Sequence, residues 1–148
     1  MDLVHRSAQK DTETLDDELK LALATPPNYP HADITDEILD SAIEVHRQLG
    51  SGFLEKVYEN ARCVELRARN VEFVAQAEIP VVYKRIIVGT YYADLLVARA
   101  VICEVKALNA LTTVHQSQLL HYLKATGYTV GLLLNFGTPK IQIKRLVY

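Results

Sequence analysis

The chain has 148 residues, with 16 basic against 18 acidic side chains and a formal net charge of −2. This length suits one domain, and a hydrophobic fraction of 49% supplies the core that a disordered chain lacks. The near-neutral charge excludes a basic scaffold that coats nucleic acid through bulk electrostatics. Two cysteines are too few for a disulfide framework or a zinc cluster. Without a run of about 18 apolar residues or a signal-peptide pattern, we expect a soluble, cytoplasmic protein.

The acidic excess lies at the start of the chain. Residues 1–32 carry six acids and three bases, whereas the remainder carries 12 acids and 13 bases. Three prolines within residues 26–30 oppose helix formation and predict an extended connection. We therefore divide the chain into an acidic N-terminal extension, residues 1–30, and a domain at residues 31–148. A short helix around residues 15–23 fits the leucine spacing of the extension.

The rest of the chain alternates between helical periodicity and runs that are typical of strands. The predicted elements are helices at about 34–49 and 53–69, strands at 79–83, 86–97 and 101–105, a helix at 112–126, and strands at 129–135 and 141–147. The helix stops are Gly50, Asn70 and Gly127. The second helix is expected to bury Leu54, Val57, Ala61, Val64 and Ala68. This order predicts a mixed α/β fold, a sheet flanked by helices.

Two acidic side chains lie on predicted strands, at positions that a buried sheet usually fills with apolar residues. A tight turn near Arg99 places Asp94 opposite Glu104, with Lys106 on the same face of the sheet. Two facing carboxylates repel each other, and a divalent cation between them would remove the conflict. Carboxylate oxygens are the ligands that Mg²⁺ prefers, and Lys106 could orient an attacking water. The open alternative is a structural ion pair between Lys106 and either acid on an exposed sheet face.

Two helices carry polar side chains that could support such a site. Glu55 and Glu59 stand one turn apart on the second helix, and a solvated face explains this pair as well as a metal site does. His115, Gln118 and Tyr122 form a polar stripe on the third helix, which could contact a phosphate or hold the lysine in place. An ordinary amphipathic helix is the open alternative for the stripe.

Five motifs stand in order along the chain between residues 34 and 147. They are Gly52-Phe53-Leu54-Glu55-Lys56-Val57-Tyr58, Tyr92-Ala93-Asp94, Glu104-Val105-Lys106-Ala107, Gln118 to Gly127, and Val130 to Gly137. Together they resemble the GxxExxY family, which is placed in the PD-(D/E)xK nuclease superfamily. The resemblance implies a restriction-endonuclease-like core, in which helices flank a mixed central sheet. Only Ala93 departs from the superfamily name, because it replaces the proline before the aspartate.

The resemblance also assigns roles to residues. It implies a site that uses Mg²⁺, with Mn²⁺ as a substitute, in which the metal ligands are Asp94, Glu104 and Glu55 and the catalytic lysine is Lys106. The residues expected to bind substrate or to support the site are Gln118, Tyr122, Tyr58 and Glu59. Basic residues that could contact DNA are Lys56, Arg62, Lys84, Arg85 and Lys124.

We therefore expect a Mg²⁺-dependent nuclease that hydrolyses DNA, with no membrane partner. A homodimer would suit cleavage of both strands of a duplex. The alternative is a catalytically silent module that keeps the fold and binds nucleic acid or a protein partner. A third interpretation is that the acidic residues 1–30 mimic a phosphate backbone and cover the site.

Overall fold

The computed structural model describes Leu19 and residues 28–148. The elements are helices α1 (Ala32–Leu49) and α2 (Glu55–Ala68), strands β1 (Phe73–Tyr83), β2 (Ile86–Val97) and β3 (Val101–Lys106), helix α3 (Thr113–Thr126), and strands β4 (Val130–Asn135) and β5 (Gln142–Val147). The predicted order of elements and the mixed α/β class are confirmed. The helix expected around residues 15–23 lies, apart from Leu19, outside the described residues. In the part of the chain that is described, every helix is too short or too polar to span a bilayer.

The five strands form one sheet in the order β1-β2-β3-β4-β5. Strands β1, β2 and β3 form an antiparallel meander. Helix α3 then returns the chain to β4, which runs parallel to β3, and β5 closes the sheet antiparallel to β4. Helices α1 and α2 cover one face and α3 the other, so β3 and β4 are buried on both faces and are almost wholly apolar.

The buried face of α2 differs from the prediction. Leu54 is 81% exposed and Val64 is 65% exposed, whereas the helix buries Tyr58, Glu59, Arg62, Cys63 and Leu66. The expected apolar stripe is wrong because contacts from α1, more than 20 residues earlier, hold a buried arginine on the opposite side. The spacing of apolar residues within one helix does not predict a contact with another helix.

Arg62 is completely buried between α2 and α1. Its Nη1 donates hydrogen bonds to the Ile38 carbonyl oxygen, at 3.1 Å, and to Ser41 Oγ. Burial lowers the pKa of this guanidinium to about 10. The expectation that Arg62 could contact DNA is therefore wrong, because its side chain does not reach the surface.

The end of β4 holds the chain that follows Lys106. Asn135 Nδ2 donates to the Leu108 carbonyl oxygen at 3.0 Å, and Asn135 Oδ1 accepts from the Leu108 N–H at 2.8 Å. The Phe136 N–H donates to the Lys106 carbonyl oxygen at 2.9 Å. Gly137 approaches Leu108 so closely that an added Cβ would overlap backbone atoms of Leu108. The end of β3 at Lys106 is thus held by the Asn135 side chain and by backbone contacts with Phe136 and Gly137.

We expect Gly137→Ala to lower the free energy of unfolding by about 1–3 kcal/mol, because the methyl group would force two backbone segments apart. Urea denaturation followed by circular dichroism measures this change. Gly89→Ala is the matched control, since an added Cβ at Gly89 meets nothing within 4 Å. Equal unfolding free energies for the two variants would contradict the packing argument.

Candidate functional site

The hairpin of β2 and β3 brings two of the predicted acids together. Leu95 pairs with Cys103, which is the register expected from the sequence, and the ladder ends at this pair. One position further, Asp94 Oδ2 accepts a hydrogen bond from the Val105 N–H at 2.8 Å. The Asp94 N–H in turn donates to Glu104 Oε1 at 3.3 Å. Side-chain hydrogen bonds therefore continue the hairpin where the backbone ladder stops.

The buried side chains of β2 switch from one face of the sheet to the other at Asp94. Leu95 packs in the core beneath α1 and α2, whereas Ala93 packs against α3. Residues two apart on a regular strand face the same side, so the strand is bent between them. On β1, Gln76 lies opposite the bend with φ 51°, a left-handed conformation that costs a non-glycine residue about 1–2 kcal/mol. Asp94 thus sits where β2 leaves β3.

Glu104 lies on the α3 side of β3 and is only 5% exposed. Its carboxyl group is in hydrogen-bonding contact with Asp94, and burial together with the charge of Asp94 raises the pKa of Glu104 to about 9. The repulsion that the sequence predicted for two facing carboxylates is thus present. These oxygens form a donor set that suits a hard divalent cation, because its charge would offset the repulsion.

The first turn of α2 directs Glu55 towards the end of β3. Burial raises the pKa of Glu55, while the charge of Lys106 and a hydrogen bond with the Ala107 backbone lower it. Within residues 28–148 and Leu19, no three His, Cys, Asp or Glu side chains form a ready-made metal cluster. Glu55 therefore lies beside Lys106 and does not close a three-carboxylate cluster with Asp94 and Glu104.

The loop before α2 sets the direction of that first turn. Gly50 has φ 68° and Gly52 has φ 115°, and a side chain would be strained at both positions. Tyr58 Oη donates to the Gly50 carbonyl oxygen at 2.6 Å and accepts from the Phe53 N–H at 3.2 Å. Tyr58 is completely buried, so it supports this loop and has no surface to offer a substrate.

Gln76 is a site residue that the sequence analysis missed. Its Nε2 donates to Glu59 Oε1 at 2.5 Å and lies 3.4 Å from Asp94 Oδ1. Glu59, which is buried, also accepts from Lys56 Nζ at 3.2 Å. Gln76 therefore connects an acid of α2 to the acid of β2. β1 begins at Phe73, whereas the predicted strand began at residue 79, so the sequence did not place Gln76 in a strand. No charge pattern marks this glutamine either.

Helix α3 completes the surroundings of the acids. Gln118 Nε2 donates to Tyr122 Oη at 3.1 Å. Burial, and then the charges of Glu104 and Asp94, raise the pKa of Tyr122, so its hydroxyl belongs to the same electrostatic environment. His115, the third member of the predicted polar stripe, is engaged in the capping box at the start of α3.

Comparison with known protein families finds a match over most of the chain. A family model described as the PD-(D/E)XK nuclease superfamily matches residues 32–146. This range runs from α1 into β5 and contains every site residue described above. Searches of curated proteins and of solved structures found no match.

The buried acid predicts how the stability of the metal-free protein depends on pH. Glu104 has a pKa of about 9 when folded, above the value of 4.5 that applies to an ordinary glutamate. The folded state therefore holds a proton that the unfolded state has lost, and stability falls as pH rises from about 4.5 towards 9. Glu104→Gln should remove this fall and raise the free energy of unfolding at about pH 8 by about 1–3 kcal/mol.

Urea denaturation in a metal chelator across this pH range measures the effect. Glu78→Gln is the control, because Glu78 is an exposed glutamate on β1. A Glu104→Gln protein whose stability fell with pH as steeply as that of the unsubstituted protein would contradict the assignment.

Proposed function

The chain belongs to the PD-(D/E)XK nuclease superfamily, and on this premise we propose that it is a nuclease that hydrolyses DNA with Mg²⁺, for which Mn²⁺ can substitute. The observation that carries the proposal is the contact between the carboxyl groups of Asp94 and Glu104, at the point where β2 and β3 separate. The glycine-rich loop before Glu55 and the buried Tyr58 give structural roles to the GxxExxY signature, and they support placing the chain in that group.

Asp94 and Glu104 would hold the metal ion, with Glu55 as the acid that approaches from α2. The donor set fits, since two adjacent carboxylates supply hard oxygen ligands and leave positions for water and for a phosphate oxygen. When bound, the ion supplies Lewis acidity towards the phosphate and lowers the pKa of water. Gln76 holds the Asp94 carboxylate in place through its amide, which donates to Glu59 as well.

Lys106 would orient the attacking water and stabilise the charge that builds on the phosphate. Its backbone is fixed by the hydrogen bond from Phe136, and the neighbouring Leu108 is clamped by Asn135. Burial raises the pKa of Glu55, and the charge of the nearby Lys106 offsets part of this rise. An ammonium at this position would lie next to the phosphodiester that is attacked.

We expect Lys106→Ala and Asp94→Asn each to reduce DNA cleavage by about 10²-fold or more, because each removes charge that the transition state needs. The measurement is Mg²⁺- or Mn²⁺-dependent cleavage of linear, circular and single-stranded DNA and of RNA, with a chelator as the blank. Lys144→Ala on β5 and Asp33→Asn on α1 are matched controls, since both are exposed side chains outside the site. Full activity in either site variant would rule out the proposal.

A catalytically silent nucleic-acid-binding module is the second candidate. One observation favours it, namely that the described residues contain no ready-made cluster of three metal ligands. Titration calorimetry with Mn²⁺ separates the two functions. The nuclease should take up Mn²⁺ and lose this uptake in Asp94→Asn, whereas an absence of uptake at millimolar Mn²⁺ would favour the silent module.

A further inference from the structure

A groove of about 750 Å³ lies between α3 and the hairpin of β1 and β2. The hairpin contributes Val82 and Tyr91, both more than half exposed to solvent, and α3 contributes Val114, which is also exposed. Lys124 stands at the α3 side of the groove. The groove therefore combines an accessible apolar and aromatic wall with a cation, and its volume suits a small organic group.

The groove lies beside the carboxylate site. Tyr91, which lines the groove, stands three residues before Asp94 on β2, which is about 10 Å along the strand. Tyr122, which also lines the groove, packs in the same cluster as Ala93, the neighbour of Asp94. Its ring centroid lies 5.7 Å from that of Tyr91, with the two planes inclined at 45°. A chain that crosses the carboxylates in this direction would therefore meet the exposed ring of Tyr91 next, with the buried Tyr122 packed beside it.

We propose that this groove binds an unpaired base of single-stranded DNA, next to the phosphate that is cleaved, and this inference rests on the proposed nuclease function. An aromatic and apolar wall fits the flat face of a base, which stacks on such side chains whatever its identity. The Lys124 ammonium fits the phosphate that connects this base to the next. The groove thereby narrows the substrate class from DNA in general to a single strand or a frayed end.

Duplex DNA does not meet this requirement. Each base in a duplex is covered on both faces by its neighbours and paired along its edge, so it can present a face to Tyr91 only after leaving the stack. That step costs a few kcal/mol for each base. One active site is enough to cut a single strand. The homodimer expected for cleavage of both strands of a duplex is therefore not required.

A protein side chain in the groove is the competing occupant. It would fill the apolar wall, but it would leave the neighbouring carboxylates of Asp94 and Glu104 unused. A DNA strand would use both parts, because its base would stack on Tyr91 while its backbone would reach the carboxylates and the cation that they would hold. The apolar groove and the neighbouring carboxylates together therefore favour a nucleotide over a protein side chain.

Two adjacent tyrosines on β2 provide the test. Tyr91 is 53% exposed and Tyr92 is 52% exposed, but only Tyr91 lines the groove. The affinity for a fluorescently labelled oligodeoxythymidylate is measured by anisotropy with Mg²⁺, in a Lys106→Ala background that leaves the strand uncut. We expect Tyr91→Ala to weaken binding by about 5- to 150-fold, which is the effect of losing one stacked base. Tyr92→Ala should bind like the parent.

Two further variants guard against a folding defect. Tyr91→Phe keeps the ring and should bind within about twofold of the parent, since stacking needs no hydroxyl. Lys124→Glu alters only an exposed side chain and should weaken binding of the strand. Equal affinities for Tyr91→Ala and Tyr92→Ala would overturn the proposal, as would tighter binding of a blunt duplex or of an RNA strand of equivalent sequence.

Cleavage assays separate a failure of the groove from a failure of the nuclease. If Tyr91 controls strand binding and no metal supports cleavage, the nuclease proposal fails, and with it the placement of the base beside a cleaved phosphate, whereas the groove remains a site for an unpaired base. If metal-dependent cleavage occurs, and Tyr91→Ala degrades single strands at low substrate concentration as fast as Tyr92→Ala, the groove assignment fails and the nuclease proposal stands.

Discussion

The separation of β2 from β3 at Asp94 is the constraint on which the site depends. When two paired strands part, the next backbone N–H loses its ladder partner, and an unpaired buried N–H is costly. The Asp94 carboxylate takes the place of that partner by accepting from the Val105 N–H. This same hydrogen bond brings Asp94 against Glu104, so the structural solution to a bent strand creates the acidic pair.

The rest of the domain keeps this unfavourable arrangement in place. Close carboxylates at a buried position cost several kcal/mol, and a domain of this size has a total stability of only about 5–15 kcal/mol. Two supports from different elements hold the pair. The amide of Gln76 on β1 contacts Asp94, and the Asn135 side chain at the end of β4 holds Leu108, which follows the strand that carries Glu104.

Local sequence signals predicted the order of the elements, but they missed the first six residues of β1 and the contacts between elements. Helix stops at Asn70 and Gly127 depend on left-handed backbone at single residues, and both have positive φ as expected. The hairpin register follows from a short turn, so the placement of Asp94 against Glu104 was also accessible. The buried Arg62 and the role of Gln76 were not, because each depends on a partner from an element distant in sequence.

A near-neutral chain can act on DNA if its affinity does not come from a basic surface. Phosphate contacts by lysine and arginine make binding strongly dependent on salt, whereas stacking contributes about 1–3 kcal/mol for each base through a contact that carries no net charge. Under the proposed function, Asp94 and Glu104 would repel a phosphodiester unless a cation lay between them. Stacking on Tyr91 would then hold the strand without help from that cation. Two separate contributions to binding, one metal-dependent and one aromatic, would thus supply affinity that a net charge of −2 does not provide.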